Sequence, residues 1–567
     1  MRVHRRPFVR APGARWLVAS VVPASVALVV GGVSVAPAAA EGGAPAGVMR
    51  GAHPVAPAVG SLAIPDVSAA EHAGPNAVSG LPASGGAHLV ALVQRQAVKQ
   101  FSMVAVTWDS SRQVEGLTIQ LRTRYAGHWT SWTKLGVDSD GPSVAESSPA
   151  RGGTTPYWVG HATGVEVAVY AVGAHHPAGL SVATIDPGTS AFDSTVAGTV
   201  RTDQAKRSAA AAGSFPNIPD IVTRAQWGAD ESLGSTCWDP RVGTRFDAVI
   251  VHHTAGTNSY SRREAASVVR GVLAYHTVSR GWCDIGYNFL IDRYGTVYEG
   301  RAGGIRQPVR GAHAGDYNVD TTGISLMGNF DIASPTGPMK RSLVALVAWR
   351  LGTAYHGAYG HPFLFDGRFD RISGHRDVMS TACPGRYVYA WLPHLRKRVA
   401  ARLSGFESPI EKAWKADGGG HSRLGPVRVG ERMQAGGHNT RFDGGRMYKS
   451  SYGLFTFYPG QVLHYYLGSG GVRGDLGYPE SGVNPTATSG LTAKFAGGRV
   501  YWSDSSNSHS LRHGAILRRY LHVGGAAGRL GFPTSSVHSI SGGRRAGFQQ
   551  GYITYDRSTR KTTVTTR

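Results

Sequence analysis

Phe246-Asp247-Ala248-Val249-Ile250-Val251-His252-His253-Thr254-Ala255-Gly256 decides how the chain is read. Ala248 to Val251 is an apolar, β-branched run of the kind that forms a buried strand. His252 stands at its end, where the strands of α/β sheets deliver functional groups. Adjacent strand residues point to opposite faces, so His253 is expected to pack, or to support the site, rather than act beside His252.

A second stretch, Ser373-Gly374-His375-Arg376-Asp377-Val378-Met379-Ser380-Thr381-Ala382-Cys383-Pro384-Gly385, places a His and a Cys eight residues apart, with a hydroxyl two residues before the Cys. Imidazole and thiolate are ligand types that zinc prefers, and the Pro-Gly turn can aim a thiolate inward. With His252 the ligands become three, which leaves one position open; that is the pattern of a catalytic zinc. A Cys–His nucleophilic pair is the chemical alternative. The chain has three cysteines, Cys237, Cys283 and Cys383. A Cys237–Cys283 disulfide with Cys383 on zinc accounts for all three, although spacing alone does not fix that pairing, and a free, reactive Cys383 remains open.

Around these stretches, residues 217–405 alternate strand and helix signals, as an α/β domain with a central mixed sheet flanked by helices would. Ser261 and Glu264 form a capping box. Ala265, Val268, Val269, Val272, Leu273 and His276 then follow as one apolar stripe, so His276 ends a buried face and reads first as a core histidine, second as a neighbour of the metal cleft. Asn288–Asp292 and Thr296–Glu299 flank a turn at Tyr294-Gly295, a hairpin signal. Leu343, Leu346, Val347 and Leu351 mark a second helix; Trp391, Leu395 and Val399 mark a third.

The 567 residues leave room for further domains. Residues 1–40 read as a secretory signal: five Arg and no acid, an apolar run from Trp16 to Val35, and Ala38-Ala39-Ala40 before Glu41. Arg5-Arg6 opens a twin-arginine-like string. No later stretch is long enough to span a bilayer. Residues 41–95 read as an Ala/Gly/Pro-rich flexible leader. Residues 96–190 carry strand-like runs at 103–108, 117–122 and 165–170 and read as a small β-sandwich, with Trp129 and Trp132 expected in its core more readily than on a sugar-binding platform. Residues 191–216 read as a linker. For this N-terminal domain autoinhibition, substrate binding and spacing all fit. The net charge of +23 suits an anionic polymer such as a wall polyanion, or a generally basic soluble protein, and no nucleic-acid-binding motif accompanies it.

After a linker at 406–420, residues 421–557 repeat, and 558–567 read as a tail. Leu476-Gly477-Tyr478-Pro479 returns 54 residues later as Leu530-Gly531-Phe532-Pro533, and Leu424-Gly425-Pro426 is an earlier copy without the aromatic. Phe442, Phe495 and Phe548 recur at intervals of 53. These aromatics read as each repeat's own core rather than as a glycan surface, within a β-rich repeat domain detachable from the α/β domain.

The segments 249–256, 281–289 (Gly-Trp-Cys-Asp-Ile-Gly-Tyr-Asn-Phe), 298–301, 311–313, 323–330, 374–376 and 381–385 together resemble the zinc amidases of the peptidoglycan recognition protein and T7-lysozyme type, over about a third of the chain. The C-terminal copies resemble the LGFP repeats of actinobacterial wall proteins. The resemblance implies a zinc-dependent N-acetylmuramoyl-L-alanine amidase, cutting between the lactyl group of muramic acid and the first L-Ala of peptidoglycan. It implies zinc ligands His252, His375 and Cys383, catalytic roles for Tyr287 and Thr381, and His313 in the substrate groove, with His253 and His276 as further contacts. It also implies a secreted, wall-associated protein held to wall glycan by its repeats, here taken as a monomer. A non-catalytic peptidoglycan-recognition protein is the second reading, and a stem-peptide endopeptidase the third; retention of Cys383 and Tyr287 favours the amidase.

Overall fold

The chain was described in a computed structural model, which covers residues 53–67, 81, 86–109, 116–142, 150–172, 177–194, 215–234 and 240–567. The expected signal at 1–40 and Cys237, with its expected pairing to Cys283, lie outside the described residues. No described helix is long and apolar enough to cross a membrane. The whole is multidomain: a β domain, an α/β domain and a repeat array.

The N-terminal domain is one eight-stranded sheet, wrapped into a sandwich-like body by its longest strand, His88–Trp108. That strand pairs along its length with Tyr157–Ala171 through repeated register shifts, and its second half also pairs with Ser181–Asp186. Such irregularities bend a strand and let it serve two faces. Phe101, Val104, Val106, Trp108, Val165, Val167 and Val169 fill the interior. One expectation fails here. The leader does not run to residue 95, because Ala58–Ala63 is a strand paired with Ser181–Asp186 and the strand from His88 crosses the expected boundary. Trp129 and Trp132 are only half-buried; they clasp Arg122, whose guanidinium carbon lies 5.7 and 4.8 Å from their rings.

The α/β domain is built on a six-stranded mixed sheet. In spatial order it runs Ile372–Gly374, Ala248–His253, Thr321–Leu326, Phe289–Ile291, Val297–Glu299 and Ile221–Val222. Ala248–His253 is central and parallel to both its neighbours, so its run of apolar residues is buried on both faces. The hairpin turns at Tyr294-Gly295, pairing Phe289 with Glu299. The helices Gly337–Thr353 and Arg386–Leu403 bury Leu343, Leu346, Val347, Leu395 and Val399 against one side of the sheet. The helix Ala265–Ala274 follows the expected box: Ser261 N donates to Glu264 Oε2 at 2.7 Å, and Glu264 N to Ser261 Oγ at 3.3 Å.

That helix carries more than one apolar stripe: all ten of its residues are buried. The N-terminal domain covers the face that would otherwise meet water. Met103 packs against Gly271, where a Cβ would come within 2.8 Å of its Cε, and Arg270 reaches Pro187 O and pairs with Asp193 at 2.7 Å. Asp193 therefore anchors the start of the segment expected to be a linker.

The C-terminal part comprises three four-stranded antiparallel sheets, each preceded by an eight-residue helix: Pro409–Ala416, Gln461–Gly468 and Ala515–His522. The repeat motif has a physical reason. Gly425, Gly477 and Gly531 take φ of +70°, +63° and +68°, a region costly for other residues, and the Leu before each is buried. From each helix an aromatic donates to that glycine's carbonyl: Trp414 at 3.0 Å, Tyr466 at 2.7 Å, Tyr520 at 2.8 Å. The same three rings stack on Phe442, Phe495 and Phe548, so these aromatics are core.

Two boundaries move. Residues 409–416 are the first repeat's helix rather than linker, and Thr562–Thr566 is a paired strand rather than tail. The first repeat is also not detachable. Leu424, Val427, Phe442 and Met447 belong to the same apolar cluster as Leu351, Tyr355 and Val399 of the α/β domain. Tyr355 donates to the buried Glu431 at 2.7 Å across that boundary.

Candidate metal centre

Two parallel strands end side by side. Val251 pairs with Gly374, so the next residues, His252 and His375, emerge together from the carboxyl edge of the sheet. Their rings lie 4.4 Å apart and both are fully buried. The turn after His375 returns Cys383 to the same place: its Sγ is 3.6 Å from His252 Nδ1. The expected trio thus converges, through Nδ1 of both imidazoles.

A fourth group meets them that local sequence patterns did not reveal. Asp140, from the N-terminal domain, points its Oδ1 to His375 Nδ1 at 2.9 Å and to His252 Nδ1 at 3.3 Å. One ligand atom from each of Asp140, His252, His375 and Cys383 lies within 4.8 Å of every other. Zinc–nitrogen and zinc–sulfur bonds of about 2.0 and 2.3 Å at tetrahedral angles put ligand atoms about 3.4–3.6 Å apart, close to the spacings found. The donor types fit a divalent cation, which would offset the charges of the Asp140 carboxylate and the Cys383 sulfur in a buried site.

Burial is the first influence on the titration of each group. Burial, then the neighbouring His375, pushes His252 down to about 4, so it is neutral and has a lone pair to give. Burial, then the Asp140 charge, drives the Cys383 thiol up, against the His253 N–H that donates to its sulfur at 3.3 Å. Burial alone would raise Asp140; the two imidazoles facing it hold it well below the usual carboxylate range.

Tyr287 closes the site. Its hydroxyl donates to Asp140 Oδ2, and its ring lies 5.5 Å from that of His252. Burial, then Asp140, raises its phenol well above the ordinary value, so it remains a donor. Thr381 does not face the cluster through any hydrogen bond described: its Oγ1 accepts from Cys383 N at 3.1 Å, shaping the turn that carries the thiol.

The remaining histidines are supports. His253 points to the other face, as alternation requires, and its Nδ1 accepts from Phe330 N at 3.2 Å. His276 is buried, stacks on Trp282 at 4.3 Å and accepts from Gly286 N at 3.1 Å, which holds the loop bearing Tyr287. His313, expected in an open groove, is instead fully buried behind His252, with its Nδ1 3.0 Å from His252 Nε2. Gly311 and Gly323 make room for it; a Cβ on either would come within 2.3 Å of its ring. The Gly–x–His spacing at 311–313 is the one sequence signal of that cradle.

Three regions of the chain match known protein families. Residues 242–386 match the family model described as N-acetylmuramoyl-L-alanine amidase, 476–528 the LGFP repeat, and 61–193 the Rv3811 N-terminal galactose-binding domain-like family. The chain is 33% identical over 170 residues to peptidoglycan-recognition protein SC1a/b of Drosophila simulans, covering 30% of this chain and 82% of that protein. It is 34% identical over 189 residues to peptidoglycan recognition protein 1 of Bos indicus (33% and 90% covered), and 38% identical over 171 residues to that of Mus musculus (30% and 84%). With its sheet, its strand-end histidines and its returning cysteine in the matched region, the chain belongs to the peptidoglycan recognition protein family of Amidase_2 domains, and carries LGFP repeats behind that domain.

Proposed function

We propose that this protein is a secreted, zinc-dependent N-acetylmuramoyl-L-alanine amidase that acts on peptidoglycan and is held to wall glycan by its repeats. The observation that carries the reading is the convergence of His252 Nδ1, His375 Nδ1 and Cys383 Sγ on one buried point, with the Tyr287 hydroxyl aimed beside it. These residues would hold zinc, which when bound supplies Lewis acidity and activates water for attack on an amide at neutral pH.

The chain's own groups do the rest. Tyr287, kept protonated, donates to the carbonyl oxygen as it gains charge, a contribution of about 2.7–4 kcal/mol. His313 fixes the orientation of His252, and the His253 N–H fixes the Cys383 sulfur. Thr381 is a positioning residue for the Cys383 turn. A Cys237–Cys283 disulfide is part of the proposal, in keeping with export, as is a monomeric state.

The test is incubation of the zinc-loaded full chain and of its Asp140→Ala variant with a defined muropeptide, with and without a chelator, and product masses. A stem peptide with a free L-Ala amine, formed only with metal, is the expected product. Cleavage within the stem, or none by either protein, overturns the reading.

A further inference from the structure

The fourth member of the cluster belongs to a different domain from the other three. We propose that Asp140 is the fourth ligand of the metal site and that through it the N-terminal domain holds the amidase latent. This rests on the metal reading of His252, His375 and Cys383 given above.

The carboxylate occupies both positions that the reaction needs. Its Oδ1 sits against the two imidazole Nδ1 atoms, and its Oδ2 takes the Tyr287 hydroxyl. An attacked amide carbon would carry two oxygens with the same demands, one at the cation and one on the donor. Asp140 mimics that arrangement with a charged group already in place, and a site with four protein ligands has no open position.

The segment bearing Asp140 is built into the cleft. Asp138 pairs with Arg280 at 2.6 Å, and both side chains are almost wholly buried. Gly141 O accepts from Gly315 N at 3.1 Å and from Asn318 Nδ2 at 3.0 Å. Asn318 in turn receives the N–H groups of His313 and Ala314. Arg151 and Arg280 exchange backbone and side-chain bonds at 2.9 and 2.7 Å. The 138–141 segment is thus tied to both the 280–287 and the 312–318 stretches, beside the Tyr287 hydroxyl.

Below this plug the two domains share one apolar cluster. Met103, Ala105, Trp158 and Ile185 pack with Val268, Val269, Val272 and Tyr275, and Tyr275 donates to Thr154 O. A ligand tethered this way is present at high effective concentration, whereas the scissile carbonyl is neutral and arrives from solution. Substrate therefore does not displace Asp140 by mass action; the domain has to move.

Full-length wild type, Asp140→Ala and the isosteric Asp140→Asn are to be loaded with cobalt(II), whose visible spectrum reports the ligands, and titrated with acetohydroxamate as a small metal-binding probe. The wild-type spectrum is expected to stay unchanged at probe concentrations that shift both variants, and the zinc-loaded variants to turn over muropeptide roughly a hundredfold faster. Equal access of the probe to all three proteins overturns the inference. So does lowered turnover in both variants, which would make Asp140 a catalytic group. Variants that take the probe while none of the three proteins cuts any muropeptide support the inference and sink the amidase reading instead. A wild type that takes up no cobalt overturns both.

Discussion

Asp140 Oδ1 and His375 Nδ1 face one another at 2.9 Å across the boundary between two domains. The contact is buried on both sides, and the same carboxylate also engages His252 and Tyr287. The chemistry of the centre is therefore a property of the assembled chain.

Cys383 is the group that separates a metal centre from a pair of packed histidines. Cys383→Ala is expected to emerge from dialysis against a weak chelator without zinc, by elemental analysis, where wild type keeps about one equivalent. A full equivalent in the variant would remove Cys383 from the ligand set.

Tyr287→Phe keeps the ring contacts with His252 and His276 but deletes the donor. In an Asp140→Ala background, which opens the site, kcat is expected to fall about 10²–10³-fold with zinc content unchanged. A fall in zinc content instead would make the hydroxyl structural.

His313→Phe preserves volume between Gly311 and Gly323 while removing the acceptor behind His252. Zinc affinity, from competition with a chromophoric chelator, is expected to weaken about 10–100-fold. No change would leave His313 as packing alone.

Truncation distinguishes the repeats. Removing residues 421–567 strips Leu424, Val427, Phe442 and Met447 from the core they share with the α/β domain. At about 1.5–3 kcal/mol for each large side chain, that loss rivals a whole domain's stability of about 5–15 kcal/mol. This protein is expected to aggregate or melt far earlier. Removing 461–567 leaves that shared core whole and exposes mainly Tyr448 and Phe457, so it should stay folded in a thermal melt while losing sedimentation with isolated walls. Equal melting of the two truncations would contradict the shared core.

His252, His375 and Cys383 are legible in the sequence because each rests on a local rule: a strand end for His252, and for His375 and Cys383 a spacing of eight residues closed by a Pro-Gly turn. The helix stripe from Ala265 and the hairpin at Tyr294-Gly295 were legible for the same reason. Asp140 was not. Asp138-Ser139-Asp140-Gly141 reads as an ordinary polar turn, and nothing within it announces a partner in another domain. The full burial of Arg270 and the place of His313 were hidden likewise, since each depends on what packs from a distance. The aromatics of the repeats are core, as their spacing suggests, whereas Pro409–Ala416 reads as linker in sequence although Trp414 takes the position of Tyr466 and Tyr520.

The sharing of one core by the α/β domain and the first repeat has a geometric outcome. A catalytic head on a flexible leash samples every bearing around its anchor. Here the array leaves the head along a direction set by Tyr355, Trp414 and Phe442. A polymer held by the repeats, as proposed, would be offered to the cleft at one stand-off and one angle, as by a gauge with a fixed span.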